Sequence, residues 1–225
     1  MRAPGWLRRI GRAADRTLLD MCYPEDAVCL LCGRAAGGSA LCGRCASMLG
    51  HDRITGAEEP DRRAVWRYEG PAGVLVRRLK EQGVAAAADV LAADMAAVLG
   101  EMCPEDGCVV SWVPMPVRRK SERGIDHGEV LARAVAARCG LPVRPLLRRK
   151  AKDAKTQRGL GREERLRNVR GAFEAVSETP AACVLVDDVL TTGATLTECR
   201  ETLLRAGARR VILLAACAAE GDGTS

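Results

Sequence analysis

The chain is poor in aromatic side chains, with one Phe, two Tyr and three Trp in 225 residues. A protein that grips single-stranded bases by stacking needs a series of such rings, so a broad aromatic platform is excluded. No apolar run approaches the roughly 20 residues of a membrane-spanning helix, and charged residues interrupt every long segment. The N-terminus, MRAPGWLRRIGRAADRTLLD, lacks the continuous apolar stretch and small-residue cleavage site of a secretory leader, which gives a cytoplasmic expectation. Two phosphate-binding strings are missing as well. Neither G-x-x-x-x-G-K-[ST] nor G-x-G-x-x-G occurs, and this argues against a nucleoside-triphosphate P-loop and a dinucleotide fingerprint.

What is present is a hydrophobic fraction of 48% and a formal net charge of +6. A length of 225 residues fits one α/β domain with a smaller attachment. The positive balance suits phosphorylated ligands or nucleic acid, but many proteins that bind neither share it. In residues 1–20, Leu7, Ile10, Ala14 and Leu18 recur at helical spacing and predict a short basic amphipathic helix. Its arginines are read as solvated, with a membrane surface as the alternative.

Four of the eleven cysteines form two Cys-x-x-Cys knuckles, Cys29 with Cys32 and Cys42 with Cys45, inside a module expected over residues 21–50. Each knuckle turns two thiolates towards one point, and two knuckles supply the four soft ligands of a closed structural zinc site. A reducing compartment disfavours disulfides, and redox catalysis needs only one knuckle. Cys22 stands at a different spacing, as a packed thiol or an alternative to Cys29. The remaining cysteines are scattered singly and read as small core residues.

A linker is expected over residues 51–60, an α/β body over 61–220 and a tail over 221–225. The body reads as the strand AVWRYEG, the helix GVLVRRLKEQG, an alanine-rich helix over 85–99 and the strand CVVSWVPMP ending at Pro114. The helix EVLARAVAARCG follows, with its stop at Gly140, and then a short strand in LPVRPLL. Residues 148–170 lack apolar periodicity and predict an excursion or a hairpin. The strands AACVLV and VILLAACAA, joined by the helix ATLTECRETLLRAG, complete a strand–helix–strand unit. Near-continuous apolar strands imply a mainly parallel sheet covered on both faces, with the ligand site at the strands' carboxyl ends.

The stretch CVLVDDVLTTGATLTE falls at such an end. If the strand stops at Asp187, the backbone turns and brings Asp187 and Asp188 to one rim, where both carboxylates suit the adjacent hydroxyls of a ribose. Thr191, Thr192, Gly193, Ala194 and Thr195 then lead into a helix, whose free amides and positive dipole end suit a phosphate. The plain alternative is a capped helix after a buried strand, which leaves the acids unexplained.

The stretch from Cys183 to Thr195 resembles the signature of type I phosphoribosyltransferases. Together with the cysteine pairs, RRLKEQG around Lys80, VPMP, Arg123-Gly124 and KTQRGLGREERLRNVRGAF, it resembles the ComF family of competence-associated proteins. The resemblance implies a type I phosphoribosyltransferase-like fold with an N-terminal zinc ribbon or knuckle. Its implied ligand is 5-phosphoribosyl diphosphate with magnesium. It also implies a role in DNA uptake, with single-stranded DNA and DNA-uptake or helicase proteins as partners.

By similar place, Arg118, Arg119 and Lys120 are the diphosphate loop, with a solvated basic turn as the bland alternative. Lys155, Thr156 and Gln157 are candidates for a flexible loop that closes over the substrate. The chain departs from the family pattern at RGIDHGEVLA, where Ile125, Asp126 and His127 replace an aromatic, an asparagine and a glutamine. His127 is read as a helix-entry or supporting residue, with a general base as the alternative. Two rival functions remain: a non-enzymatic adaptor for single-stranded DNA or a protein partner, and nucleobase salvage.

Overall fold

The structure is a computed structural model that describes residues 28–54, 59–102, 107–116, 124–150, 169–176 and 178–219. The predicted N-terminal helix, Cys22, Arg118, Arg119, Lys120, Lys155, Thr156 and Gln157 lie outside the described residues. The chain divides into two compact units, 1–48 and 49–225.

In the first unit the Cys29–Cys32 knuckle is a tight turn. Gly33 N–H donates to the Cys29 carbonyl at 2.9 Å, and Cys29 N–H donates to the Arg34 carbonyl at 2.7 Å. Gly33 has φ +71°, in the left-handed region that a glycine enters without Cβ strain. The second knuckle leads into helix α1 (Gly43–His51), which places Cys45 in its first turn.

The second unit is built on a four-stranded, all-parallel sheet. Its strands are β1 (Arg62–Arg67), β2 (Val109–Trp112), β5 (Ala182–Leu190) and β6 (Arg210–Ala218), in the order β1-β6-β5-β2. Helices α2 (Pro71–Gln82), α3 (Ala85–Glu101), α4 (His127–Cys139) and α5 (Ala194–Arg205) flank it. A separate antiparallel pair joins β3 (Leu147–Arg149) to β4 (Phe173–Ala175), so the expected hairpin excursion has paired flanks.

Helix boundaries follow their punctuation. Pro71 occupies the first turn of α2, and Gly83 ends it at φ 65°. Asp126 caps α4, where its Oδ1 accepts from the Gly128 N–H at 3.1 Å and the Glu129 N–H at 3.4 Å. Gly140 closes α4 in the left-handed conformation.

Two expectations change. The strand read in LPVRPLL is only a single parallel bridge, Val143 with Val110, and the regular strand begins later, at Leu147. Pro142 and Pro145 explain this, because a proline has no N–H to continue a ladder. More consequentially, β5 does not end at Asp187. It stays paired with β6 through Leu190, with Asp187 opposite Ala215 and Leu190 opposite Ala218. The ladder keeps its alternation, and the two aspartates point to opposite faces.

Both central strands are buried almost throughout, as parallel strands covered on two faces must be. Cys183 and Leu185 pack with Leu196, Cys199 and Leu203 of α5, and with Leu147 and Phe173 from the antiparallel pair. The alternate residues of β5 turn towards α2 and α4, since Asp188 meets a side chain from each. From β2 the chain moves outward to the Val143 bridge, whereas from β5 it moves the other way to β6. The reversal lies between β5 and β2, and the crevice beyond the carboxyl ends there is the favoured ligand position in such sheets.

Candidate functional site

Asp187 sits on the α5 face of β5, half-buried, and its Oδ1 accepts the Asp188 N–H at 2.9 Å. Burial, followed by the neighbouring Asp188 charge, pushes its carboxyl up to about 8. Among the described residues no cation forms an ion pair with it. Its field reaches α5, since burial and then the Asp187 charge push the buried Cys199 thiol up.

Asp188 has the opposite environment. Lys80 Nζ lies 2.7 Å from Oδ1, His127 Nε2 lies 2.6 Å from Oδ2, and the side chain is 7% exposed. Burial alone raises its pKa, but the His127 and Lys80 contacts outweigh burial and hold it below the usual carboxylate range. Lys80 comes from the last turn of α2 and His127 from the first residue of α4. His127 Nδ1 is buried without a partner.

The threonine loop follows β5 directly. Thr191 is exposed, Thr192, Ala194 and Thr195 are half-buried, and Gly193 is buried at φ 67° as the N-cap of α5. No side chain caps α5, so the first amides of the helix keep their donor capacity. Arg62, from the start of β1, places Nη1 3.6 Å from where a Cβ on Gly193 would stand. The sequence reading missed Arg62, because its neighbours advertise only a strand. The sequence marks Lys80 only as part of the RRLKEQG motif, and its pairing with Asp188 is a tertiary event.

The cysteine cluster forms as the spacing predicts. The four Sγ atoms of Cys29, Cys32, Cys42 and Cys45 lie within 4.8 Å of one another, and Cys32 Sγ is 3.8 Å from Cys42 Sγ. Disulfide sulfurs are about 2.05 Å apart, whereas thiolates about 2.3 Å from one tetrahedral zinc stand about 3.8 Å apart. The donor set therefore fits zinc. Burial pushes the Cys29 thiol up, but backbone hydrogen bonds from Cys42, Cys32 and Leu31 prevail and bring it to about 6. Burial and the neighbouring sulfurs push Cys45 to about 12. Four crowded sulfurs cannot all carry charge unaided, and a bound dication removes that obstacle.

The parallel sheet, its flanking helices and the acid–threonine signature at the end of a central strand make this a type I phosphoribosyltransferase-like α/β fold with an N-terminal cysteine cluster. No protein-family profile matches the chain. The DNA utilization protein YhgH of Salmonella typhi is 29% identical over 206 residues, a match covering 84% of this chain and 89% of that protein. Competence protein F of Haemophilus influenzae is 34% identical over 105 residues, 44% of this chain and 46% of that protein, so the match spans about half of its length. Competence protein ComFC of Bacillus subtilis is 26% identical over 183 residues, 80% of this chain and 72% of that protein.

Among solved structures, the UMP synthase of Leishmania donovani is similar at 19% identity and TM-score 0.39, covering 62% of this chain and 24% of that one. TT1426 from Thermus thermophilus is similar at 18% identity and TM-score 0.37, covering 61% of this chain and 86% of that one.

Proposed function

We propose that this chain is a phosphoribosyltransferase-fold protein that binds 5-phosphoribosyl diphosphate with magnesium and serves DNA uptake. One observation carries the reading: the acid pair, the left-handed Gly193 and the uncapped start of α5 stand at the sheet's reversal point. The amides of α5 and the hydroxyls of Thr191, Thr192 and Thr195 suit a 5-phosphate, and an aspartate beside them suits the ribose hydroxyls.

Arg118, Arg119 and Lys120 take the diphosphate in this reading, and Lys155, Thr156 and Gln157 close over it. The only cluster of metal-ligating side chains among the described residues is the cysteine set. Magnesium is therefore expected on the ligand's own oxygens and water, where it neutralises diphosphate charge when bound. Departure of diphosphate leaves positive charge on the sugar carbon, so the chain's contribution is positioning and stabilisation of leaving charge. The acceptor in such a transfer is normally a nucleobase or an amine, and no residue in the sequence selects between them. Cys29, Cys32, Cys42 and Cys45 hold a structural zinc.

The link to DNA uptake is supported by the competence and DNA utilization proteins that the chain resembles. Calorimetric titration of the whole protein with 5-phosphoribosyl diphosphate and magnesium tests the ligand. Saturable binding is expected, weakened roughly 10-fold by Asp187→Asn, the usual scale for one lost hydrogen bond. Absence of binding to the unaltered protein overturns the reading.

The same names, with the +6 charge, favour a second reading: an adaptor for single-stranded DNA. It predicts salt-sensitive DNA binding that Asp187→Asn leaves intact. Diphosphate release in a screen of bases and amines separates a transferase, including a salvage enzyme, from a scaffold.

A further inference from the structure

The two acids of the signature differ in what already occupies them. Both oxygens of Asp188 are engaged inside the protein, one by Lys80 at 2.7 Å and the other by His127 at 2.6 Å. Each oxygen keeps a second lone pair, but the side chain is only 7% exposed, so a sugar diol has to enter between these two partners to reach it. Displacing either partner from the buried carboxylate is strongly unfavourable. Asp187 spends one oxygen on the Asp188 N–H. It lies on the face of β5 that packs against α5, the helix the threonine loop enters.

The contacts around Asp188 come from separate parts of the chain. Lys80 belongs to α2, and His127 is the residue at which the chain enters α4 behind the Asp126 cap. The imidazole's Nδ1 has no partner, so among the described residues the Asp188 contact is what orients the ring.

We propose that the acid pair divides its work between the two faces of the sheet. Asp187 is the carboxylate that meets the sugar, and Asp188 is an internal anchor that ties the end of β5 to α2 through Lys80 and to α4 through His127. The assignment of Asp187 rests on the ribose-phosphate reading above. The assignment of Asp188 rests on geometry alone.

Thermal unfolding and titration with ribose 5-phosphate, on the full chain, test both halves. Asp188→Asn is expected to lower Tm by about 10 °C, as removal of one partner from a buried charge pair does in a protein of this size. His127→Ala lowers Tm by roughly half as much, and the double variant falls no further than Asp188→Asn alone. His127→Gln, which keeps one N–H donor for Asp188, retains Tm within about 3 °C and the affinity for ribose 5-phosphate within about 3-fold. Asp187→Asn leaves Tm unchanged or higher and weakens ribose 5-phosphate by roughly 10-fold.

Additive Tm losses, or an Asp188→Asn variant with unchanged Tm and lost ribose 5-phosphate, overturn the anchor. Undiminished binding by Asp187→Asn overturns the sugar assignment. Should the unaltered protein bind neither ribose 5-phosphate nor 5-phosphoribosyl diphosphate, the functional reading and the sugar assignment of Asp187 fail together. The Tm comparison then still decides the anchor.

Discussion

Adjacent acids in one strand experience opposite fields. Asp188 is held ionised by Lys80 and His127, whereas burial and that same ionised neighbour raise Asp187 to about 8. The linkage has a definite sign for Asp187. Its folded pKa is raised above the ordinary value of 3.8, so its contribution is most favourable below about pH 4 and is lost as pH rises through about 8. An asparagine does not titrate. The Tm of Asp187→Asn should therefore gain on the unaltered protein between pH 5 and pH 9, by roughly 3 °C or more, followed by circular dichroism melts in matched salt. A constant difference across that range would refute the raised carboxyl.

Helix ends carry much of the site's positioning at the scale of single elements. Asp126 satisfies two amides at the start of α4 and so fixes the residue, His127, that touches Asp188. Asp126→Ala should cost about 1 kcal/mol, the usual size of a lost N-cap. A fall in Tm of about 2–4 °C is the measurable result for a chain of this length. The start of α5 is built differently: Gly193 caps it with a left-handed backbone and no side-chain oxygen, which leaves its amides for a ligand. The boundaries of α2 and α4 were legible because Gly83, Gly140 and their preceding apolar positions act locally. The strand expected in LPVRPLL failed for an equally local reason, since two prolines interrupt any ladder there.

Across the whole molecule, two kinds of stabilisation coexist. The second unit has a continuous apolar core around β5 and β6. Among the described residues of the first unit four sulfurs converge instead, the arrangement by which small segments with little core commonly gain stability from a metal. Elemental analysis of the purified chain should find about one zinc per molecule, as expected for a closed tetrahedral four-thiolate site. Replacing Cys29 and Cys42 together with serine should reduce that content to near zero. Undiminished zinc in the double variant would assign the metal to other residues.

The sequence by itself determined the periodic and local features: the cysteine knuckles, the helix stops, the parallel character of the apolar strands and the acid–threonine signature. Each depends on residues close together in the chain, where spacing translates directly into geometry. The tertiary structure alone decided that β5 runs on to Leu190, because that pairing is supplied by β6. That continuation sends Asp187 and Asp188 to different faces instead of one rim. It likewise brought Lys80 and His127 to one carboxylate, and Arg62 to Gly193. No spacing rule foretells these contacts, since they join residues that only the packed sheet and its helices bring within a few ångströms.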